Sequence, residues 1–149
     1  MSRIAEWAER EPAACLEPAQ QHPHTSVEDV IGMAAEAVAR YLGSKAVVAA
    51  TLSGDTARYA SMARPLCVIV GLSPLEATRR RMALYRGVLP MAIDEMKDTE
   101  ALAEAARSAA RSFVKDDPGI AVLVYGEPVG AGVKANTVRL VGMGSGGDE

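Results

Sequence analysis

The sequence is poor in aromatic residues, which make up only 4% of its 149 residues. Nearly half of the residues, 49%, are nevertheless hydrophobic. The core therefore has to be built from small aliphatic side chains and methionine, which favour close packing of helices on a sheet. A chain of this length can bury such a core as one ordinary domain without disulfide bonds.

Cysteine and histidine are also scarce, with two of each. Cys67 falls in a predicted buried strand, which indicates free thiols in a reducing compartment. His22 and His24 lie in a proline-rich stretch without the spacing of a metal site. No apolar run reaches the ~18 residues of a membrane span, and the start lacks the apolar region of a secretion signal. We therefore expect a cytoplasmic protein with no metal site and no membrane partner.

Charge of either sign is not concentrated, since 16 basic residues stand against 19 acidic ones. The chain has no basic block and no alternation of basic and aromatic residues, which argues against a nucleic-acid partner. Acidic pairs such as Glu95 with Asp98, or Asp116 with Asp117, fall at a helix start and in a turn. Acidic residues serve the helix dipole and solvation at such positions. No catalytic residue is therefore predicted.

Helical and strand patterns alternate along most of the chain. Helices are predicted from Ser26 to Gly43, from Thr56 to Ala63, from Ser73-Pro74 toward Leu84, and from Lys97 to Val114. Strands are predicted at Ala46–Ala50, Leu66–Val70, Gly87–Pro90, Ile120–Tyr125 and, at an edge, Asn136–Val141. This order predicts a three-layer α/β/α sandwich, with a mostly parallel five-stranded sheet and an antiparallel edge strand. Large residues predicted to face the core include Val30, Ile31, Val38 and Tyr41 on the first helix, Phe113 on the last helix and Leu140 on the edge strand.

The segment from Lys45 to Tyr59, KAVVAATLSGDTARY, indicates a strand, a small polar loop and a helix. Thr51, Ser53 and Thr56 place hydroxyl groups around Gly54, and the free N–H groups at the helix start point into the loop. Such a loop either binds an anion or only caps the helix. A second glycine-rich loop follows Tyr125. If the strands before the two loops are neighbours, the loops face each other across one concave polar site.

Several short motifs, taken in order, resemble those of the C-terminal domain of pyruvate kinase. The segment TLSGDTAR, which begins at Thr51, is similar to the T-x-S-G-x-[ST]-A turn of that family. The other similarities, in chain order, are Met1-x-x-Ile4-x-x-x-Ala8-Glu9, Arg64-Pro65, Ser73-Pro74 with Thr78-Arg79-Arg80, Gly87-Val88-Leu89-Pro90, and Gly126-x-Pro128-x-Gly130 followed by Asn136. The resemblance divides the chain into a barrel-end remnant and linker (1–25), the α/β domain (26–142) and a flexible tail (143–149).

The resemblance implies a regulatory and oligomerisation domain that binds a phosphorylated effector, such as a sugar phosphate. Its Mg²⁺ and K⁺ would belong to a catalytic barrel on the same or another chain, so this chain would hold no cofactor and transfer no phosphate by itself. The residues implied to bind the effector phosphate are Thr51, Ser53, Gly54, Asp55, Thr56 and Arg58. Those implied for a second effector loop are Tyr85, Arg86, Gly126, Pro128, Gly130, Gly132, Lys134 and Asn136.

One departure from the family pattern bears directly on this site. Asp55 stands where effector-responsive relatives often have a basic or neutral residue, and its carboxylate would repel a phosphate by roughly 1 kcal/mol or more. Two alternatives stay open: either the effector differs, with Arg58, Arg86 or Lys134 supplying positive charge, or the site is vestigial.

Two other functions are compatible with the sequence. The chain could be a stand-alone protein of the same fold that binds phosphate or a nucleotide between the two loops. Its edge strand could also pair with a copy of itself across a two-fold axis, which predicts a homo-oligomer of at least two chains.

Overall fold

The computed structural model of the protein describes residues 26–95, 97–115 and 119–144. The predicted N-terminal helix and linker (1–25), the acidic turn at 116–118 and residues 145–149 of the predicted tail lie outside these described residues. None of the helices in the described part of the chain has the length and apolar character needed to cross a membrane.

Helices and strands alternate through the described residues, as predicted. In chain order the elements are α1 (Val27–Leu42), β1 (Ala46–Ala50), α2 (Asp55–Met62), β2 (Val68–Ser73), α3 (Glu76–Met82), β3 (Val88–Ala92), α4 (Thr99–Phe113), β4 (Ile120–Tyr125) and β5 (Thr137–Gly142). The termini of the first helix follow the sequence signals. Ser26 and Asp29 form a reciprocal capping box, and Gly43 ends the helix in the left-handed conformation.

The five strands form one sheet in the order β3-β2-β1-β4-β5. All neighbouring strands are parallel except β4 and β5, which pair antiparallel at one edge. Helix α4 packs on one face of the sheet, and α1, α2 and α3 contribute to the core on the other. The predicted three-layer α/β/α sandwich is confirmed.

The central strand β1 is buried along its whole length. Its side chains alternate between two cores: Val48 packs toward the α4 side, and Val47 packs toward the side of α1 and α2. A strand covered on both faces needs no polar positions, which explains why the sequence of β1 has no polar alternation. Small residues on the strand and the helices keep the layers close together.

Helix α1 buries its small residues most deeply, and of the larger residues predicted to face the core only Ile31 and Val38 pack against it. Ala39 packs against the sheet, whereas Val30 and Tyr41 are exposed, Tyr41 by 82%. The close approach of α1 to α2 explains this orientation, because a Cβ added to Gly32 would lie 2.8 Å from the carbonyl oxygen of Tyr59. The two helices can come this close only where no side chain stands between them, as at Gly32, and this orientation leaves Val30 and Tyr41 outside the core. The prediction for these two residues is wrong.

Phe113 and Leu140, also predicted to face the core, are exposed. Phe113 is the last residue of α4, whereas the fully buried residue near this end of the helix is Ala110. In β5, Val141 is buried in place of Leu140, because it packs into the core under α4. Leu140 stays at the surface because β5 is the edge strand of the sheet.

Strand β2 begins at Val68, two residues later than predicted, so Cys67 precedes the strand and is partly buried. The strand runs on to Ser73, because Leu72 stays in register with Ala50 of β1 and Ser73 stays in register with Ala92 of β3. Ser73 therefore belongs to the strand, and the N-cap of α3 is Leu75. At the other end of the chain, Met143 was predicted to belong to the flexible tail but is buried in the core.

Candidate functional site

The loops that follow β1 and β4 lie side by side. Their strands are parallel neighbours in register, with Ala49 opposite Val124, so both loops leave the sheet at the carboxyl edge where the winding of the strands reverses. They frame a cavity of about 320 Å³, within the size range of small-molecule sites. The cavity is lined by Glu28, Ala50, Thr51, Leu52, Ser53, Asp55, Thr56, Tyr59, Leu102, Tyr125, Gly126, Val129, Gly130, Gly132, Val133, Lys134 and Ala135.

The first loop, residues 51–54, is held from both sides. The Thr51 hydroxyl oxygen accepts a hydrogen bond from the Gly54 N–H at 2.8 Å. The Thr78 hydroxyl donates to the carbonyl oxygen of Leu52 at 2.6 Å, which ties the loop to α3. Gly54 has φ +95°, a conformation in which a side chain would be strained. The glycine therefore lets the backbone turn directly from the loop into α2.

Helix α2 begins without a side-chain cap, because its N-cap residue is Gly54. Within the described residues, the N–H groups of Thr56 and Ala57 and the Thr56 hydroxyl have no hydrogen-bond partner in the protein. Thr56 is only 7% exposed and lines the cavity. Unpaired donors at a helix N-terminus, where the helix dipole is positive, are suited to an anion.

A carboxylate of the protein lies close to these donors. The Ser53 hydroxyl donates to Asp55 Oδ2 at 2.9 Å and accepts from the Asp55 N–H at 3.2 Å. Arg58 Nε lies 3.6 Å from Asp55 Oδ1, and the guanidinium stacks over the ring of Tyr59. The Asp55 side chain is 58% exposed, so water and Arg58 both weaken its field in the cavity.

The second loop, residues 126–136, is closed by Asn136. Its side chain accepts a hydrogen bond from the Glu127 N–H and donates one to the Glu127 carbonyl oxygen, both at 2.9 Å. Its own N–H donates to the carbonyl oxygen of Tyr125 at 3.1 Å. At Gly126 the two ends of the loop touch, since an added Cβ would lie 2.1 Å from the carbonyl oxygen of Val133. The loop thus folds tightly back on itself beside the cavity.

One ion pair joins the second loop to α1. Lys134 Nζ lies 2.7 Å from Glu28 Oε1. The Glu28 side chain is 9% exposed, and that of Lys134 is 83% exposed. The hydrogen bond from Lys134 lowers the pKa of Glu28, and the same bond raises the pKa of Lys134. Both groups are therefore charged at neutral pH.

The structure brings together most of the residues implied by the resemblance. Thr51, Ser53, Asp55, Thr56, Gly126, Gly130, Gly132 and Lys134 line the cavity. Gly54 shapes the first loop, and Asn136 closes the second.

Arg58, Tyr85, Arg86 and Pro128 are not among the lining residues. Tyr85 packs against the core. The carbonyl oxygen of Arg86 accepts a hydrogen bond from the Ser61 hydroxyl, near the end of α2 that faces away from the cavity.

Sequence reasoning missed several lining residues, above all Glu28. This residue sits in the first turn of α1, where an acidic side chain is explained by the helix dipole alone. The aromatic and aliphatic lining residues Tyr59, Leu102, Tyr125, Val129 and Val133 carry no motif that separates them from core residues. A basic residue behind the loop was missed as well: Arg81 donates to the carbonyl oxygen of Ser53 at 3.1 Å. The described part of the chain contains no group of three or more metal-binding side chains.

The family model described as "Pyruvate kinase, alpha/beta domain" matches residues 29–141, which include nearly all of the fold and both loops. The pyruvate kinase of Methylorubrum extorquens is 30% identical over 143 residues, which is 94% of this chain and 30% of that protein. The pyruvate kinase of Lactobacillus delbrueckii subsp. bulgaricus is 31% identical over 132 residues, covering 87% of this chain and 22% of that protein. That of Clostridium perfringens is 33% identical over 96 residues, covering 64% and 20%.

The chain thus spans less than a third of the length of these relatives. The residues that match the family model run from the first turn of α1 into β5, and they include both loops that line the cavity. This chain belongs to the family of the pyruvate kinase alpha/beta domain.

Proposed function

We propose that this chain is a regulatory and oligomerisation domain that binds a small phosphorylated effector, such as a sugar phosphate, between its two loops. The relatives are named pyruvate kinases, so the domain would act together with a pyruvate kinase barrel on the same or another chain. Mg²⁺, K⁺ and phosphoryl transfer would then belong to that barrel. Binding of the effector would be the contribution of this domain.

The observation that supports effector binding is the group of unpaired donors at the start of α2. Thr56 is only 7% exposed as a whole residue and lines the cavity, and its hydroxyl has no partner among the described residues. Every fully buried side-chain oxygen or nitrogen of the described residues has a hydrogen-bond partner, so the Thr56 hydroxyl is open to the cavity, where a ligand can bond to it. A phosphate oxygen would accept from this hydroxyl and from the neighbouring N–H groups of Thr56 and Ala57.

Replacing Thr56 by valine should weaken the binding of fructose 6-phosphate about tenfold or more, because a hydrogen bond to a charged group contributes about 1.5–3 kcal/mol. Isothermal titration calorimetry of the full chain measures this change. Ser112→Ala is the matched control, since it removes a hydroxyl that bonds only within α4. Equal affinities of the wild type and the Thr56 variant would contradict a phosphate at this position.

Asp55→Asn should act in the opposite direction in the same titration. The carboxylate repels a phosphate bound at the start of α2 by about 1 kcal/mol, so its removal should strengthen binding about fivefold. If the loop serves only to start the helix, the wild type and both variants would show no binding of fructose 6-phosphate. That result would contradict the proposed effector site.

Oligomerisation is supported by an apolar stripe on α1 that has no cover within the described residues. Val27, Val30 and Tyr41 are all exposed along this helix. The outer edge of β5 has no partner strand in the described sheet, because β5 is the last strand in its order. Exposed apolar surface next to a free strand edge is typical of contacts between subunits.

Multi-angle light scattering of the full chain at about 100 μM should therefore give the mass of at least two chains. Tyr41→Glu should shift the mass toward one chain, because it places a charge in the apolar stripe. Lys45→Glu is the control, since it alters an exposed charge in the turn after α1. A wild-type mass equal to one chain would contradict the oligomer.

A further inference from the structure

Three charged side chains line the cavity within the described residues: Glu28, Asp55 and Lys134. Two of them are carboxylates, so the lining carries one more negative than positive charge. The only lining cation is already paired, because Lys134 Nζ lies 2.7 Å from Glu28 Oε1. A phosphate bound at the start of α2 would therefore meet backbone and hydroxyl donors and no free cation of the lining.

Glu28 is the partner that fixes this pair in place. Its side chain is nine-tenths buried, while Lys134 reaches it from the exposed second loop. A ligand anion that drew Lys134 away would leave the Glu28 carboxylate buried without a counter-charge, which is strongly unfavourable. The same carboxylate would also repel the incoming anion directly. At the Glu28 end, the cavity therefore disfavours a second anionic group.

The two ends of the cavity consequently differ in chemistry. The start of α2 offers unpaired N–H and hydroxyl donors, which suit one phosphate group. Glu28 and Asp55 offer carboxylate oxygens, which accept hydrogen bonds from ligand hydroxyl groups. Selection against a competing ligand by a repulsive group is a common source of specificity.

We propose that Glu28 restricts the ligand of this cavity to a single phosphate group, so that the site takes a monophosphorylated, hydroxyl-rich molecule and rejects a bisphosphate. This inference rests on the proposed effector site and specifies its ligand class. Glu28 acts here as a specificity-determining residue, both through its own charge and by holding Lys134.

The test is calorimetric titration of the full chain with fructose 6-phosphate and with fructose 1,6-bisphosphate. The wild type should bind the monophosphate about tenfold tighter than the bisphosphate, or more. Glu28→Gln should shift this ratio about tenfold toward the bisphosphate, because it removes the repulsion and releases Lys134. Glu36→Gln is the matched control: it makes the same change on the same helix, where the carboxylate pairs with Arg40 outside the cavity lining, and it should leave the ratio unchanged.

A double variant, Glu28→Gln with Lys134→Met, removes the pair without changing the net charge. It should shift the ratio toward the bisphosphate less than Glu28→Gln alone does, because the lysine that Glu28→Gln releases is no longer there. A shift as large as that of Glu28→Gln alone would contradict the part that Lys134 has in the inference.

The inference would be overturned if the wild type bound the bisphosphate as tightly as the monophosphate, or more tightly. It would also be overturned if Glu28→Gln left the ratio of the two affinities unchanged. Neither result would contradict the effector site. Absence of binding for both sugars in every variant would instead reject the effector site, and the inference with it.

Discussion

Replacing Gly126 by alanine is expected to destabilise the domain by about 3 kcal/mol, because the added methyl group has no space. The new Cβ would lie 2.1 Å from the Val133 carbonyl oxygen and 2.9 Å from that of Lys134. Both neighbours are backbone atoms, so no side chain can rotate away to relieve the contact. The second loop would have to separate from the end of β4.

Urea denaturation followed by circular dichroism measures this change as a lower transition midpoint. Gly142→Ala is the matched control, because an added Cβ there has nothing within 4 Å, and it should change the free energy of unfolding by less than about 0.5 kcal/mol. Since the displaced loop lines the cavity, the Gly126 variant should also bind sugar phosphate more weakly. A Gly126 variant as stable as the wild type would contradict the tight loop described here.

Replacing Leu123 by alanine is expected to cost about 2–5 kcal/mol of stability. Leu123 is fully buried on β4, where it packs in the core between the sheet and α4. This layer contains several alanines, such as Ala106, whose side chains are too short to fill the space. The variant would therefore keep part of the cavity left by the lost side chain.

Leu140→Ala is the matched comparison for this variant, because the same change is made on the adjacent strand at a residue that is half exposed. It should cost less than about 1 kcal/mol, since much of the Leu140 side chain is already in water. Equal losses at the two positions, measured by urea denaturation, would contradict the assignment of Leu123 to the core and Leu140 to the surface.

The fold was predictable because its signals are local and repeat along the chain. The strand at Ala46–Ala50 lacks polar alternation, Gly54 starts a tight turn, and Ser26 and Gly43 mark the ends of a helix. These features led to the confirmed sheet, with its antiparallel edge pair. The facing of the two loops followed as well, since it required only that β1 and β4 be neighbours.

The orientation of α1 could be predicted only in part, because that helix has apolar residues on more than one face. The predicted stripe included Ile31 and Val38, which pack against the core, but also Val30 and Tyr41, which the close contact at Gly32 leaves exposed. Packing distance between two helices is a tertiary property that periodicity does not report.

The charge balance of the site could not be predicted either, for a related reason. Glu28 and Lys134 are more than a hundred residues apart in sequence, and each has an ordinary local explanation, one as a first-turn acid and the other as a loop lysine. Only the packing of α1 beside the second loop places them 2.7 Å apart. Asp55, by contrast, was identified from the sequence because it lies within the loop motif itself.

The most direct test of an effector phosphate at the start of α2 is a titration of the isotope-labelled full chain with fructose 6-phosphate, followed by amide nuclear magnetic resonance. The amides of Thr56 and Ala57 should show the largest shifts, and these should saturate, because their N–H groups would donate to the phosphate. Thr56→Val should weaken the response. Unchanged amides at Thr56 and Ala57, or saturable shifts confined to another part of the domain, would contradict the account.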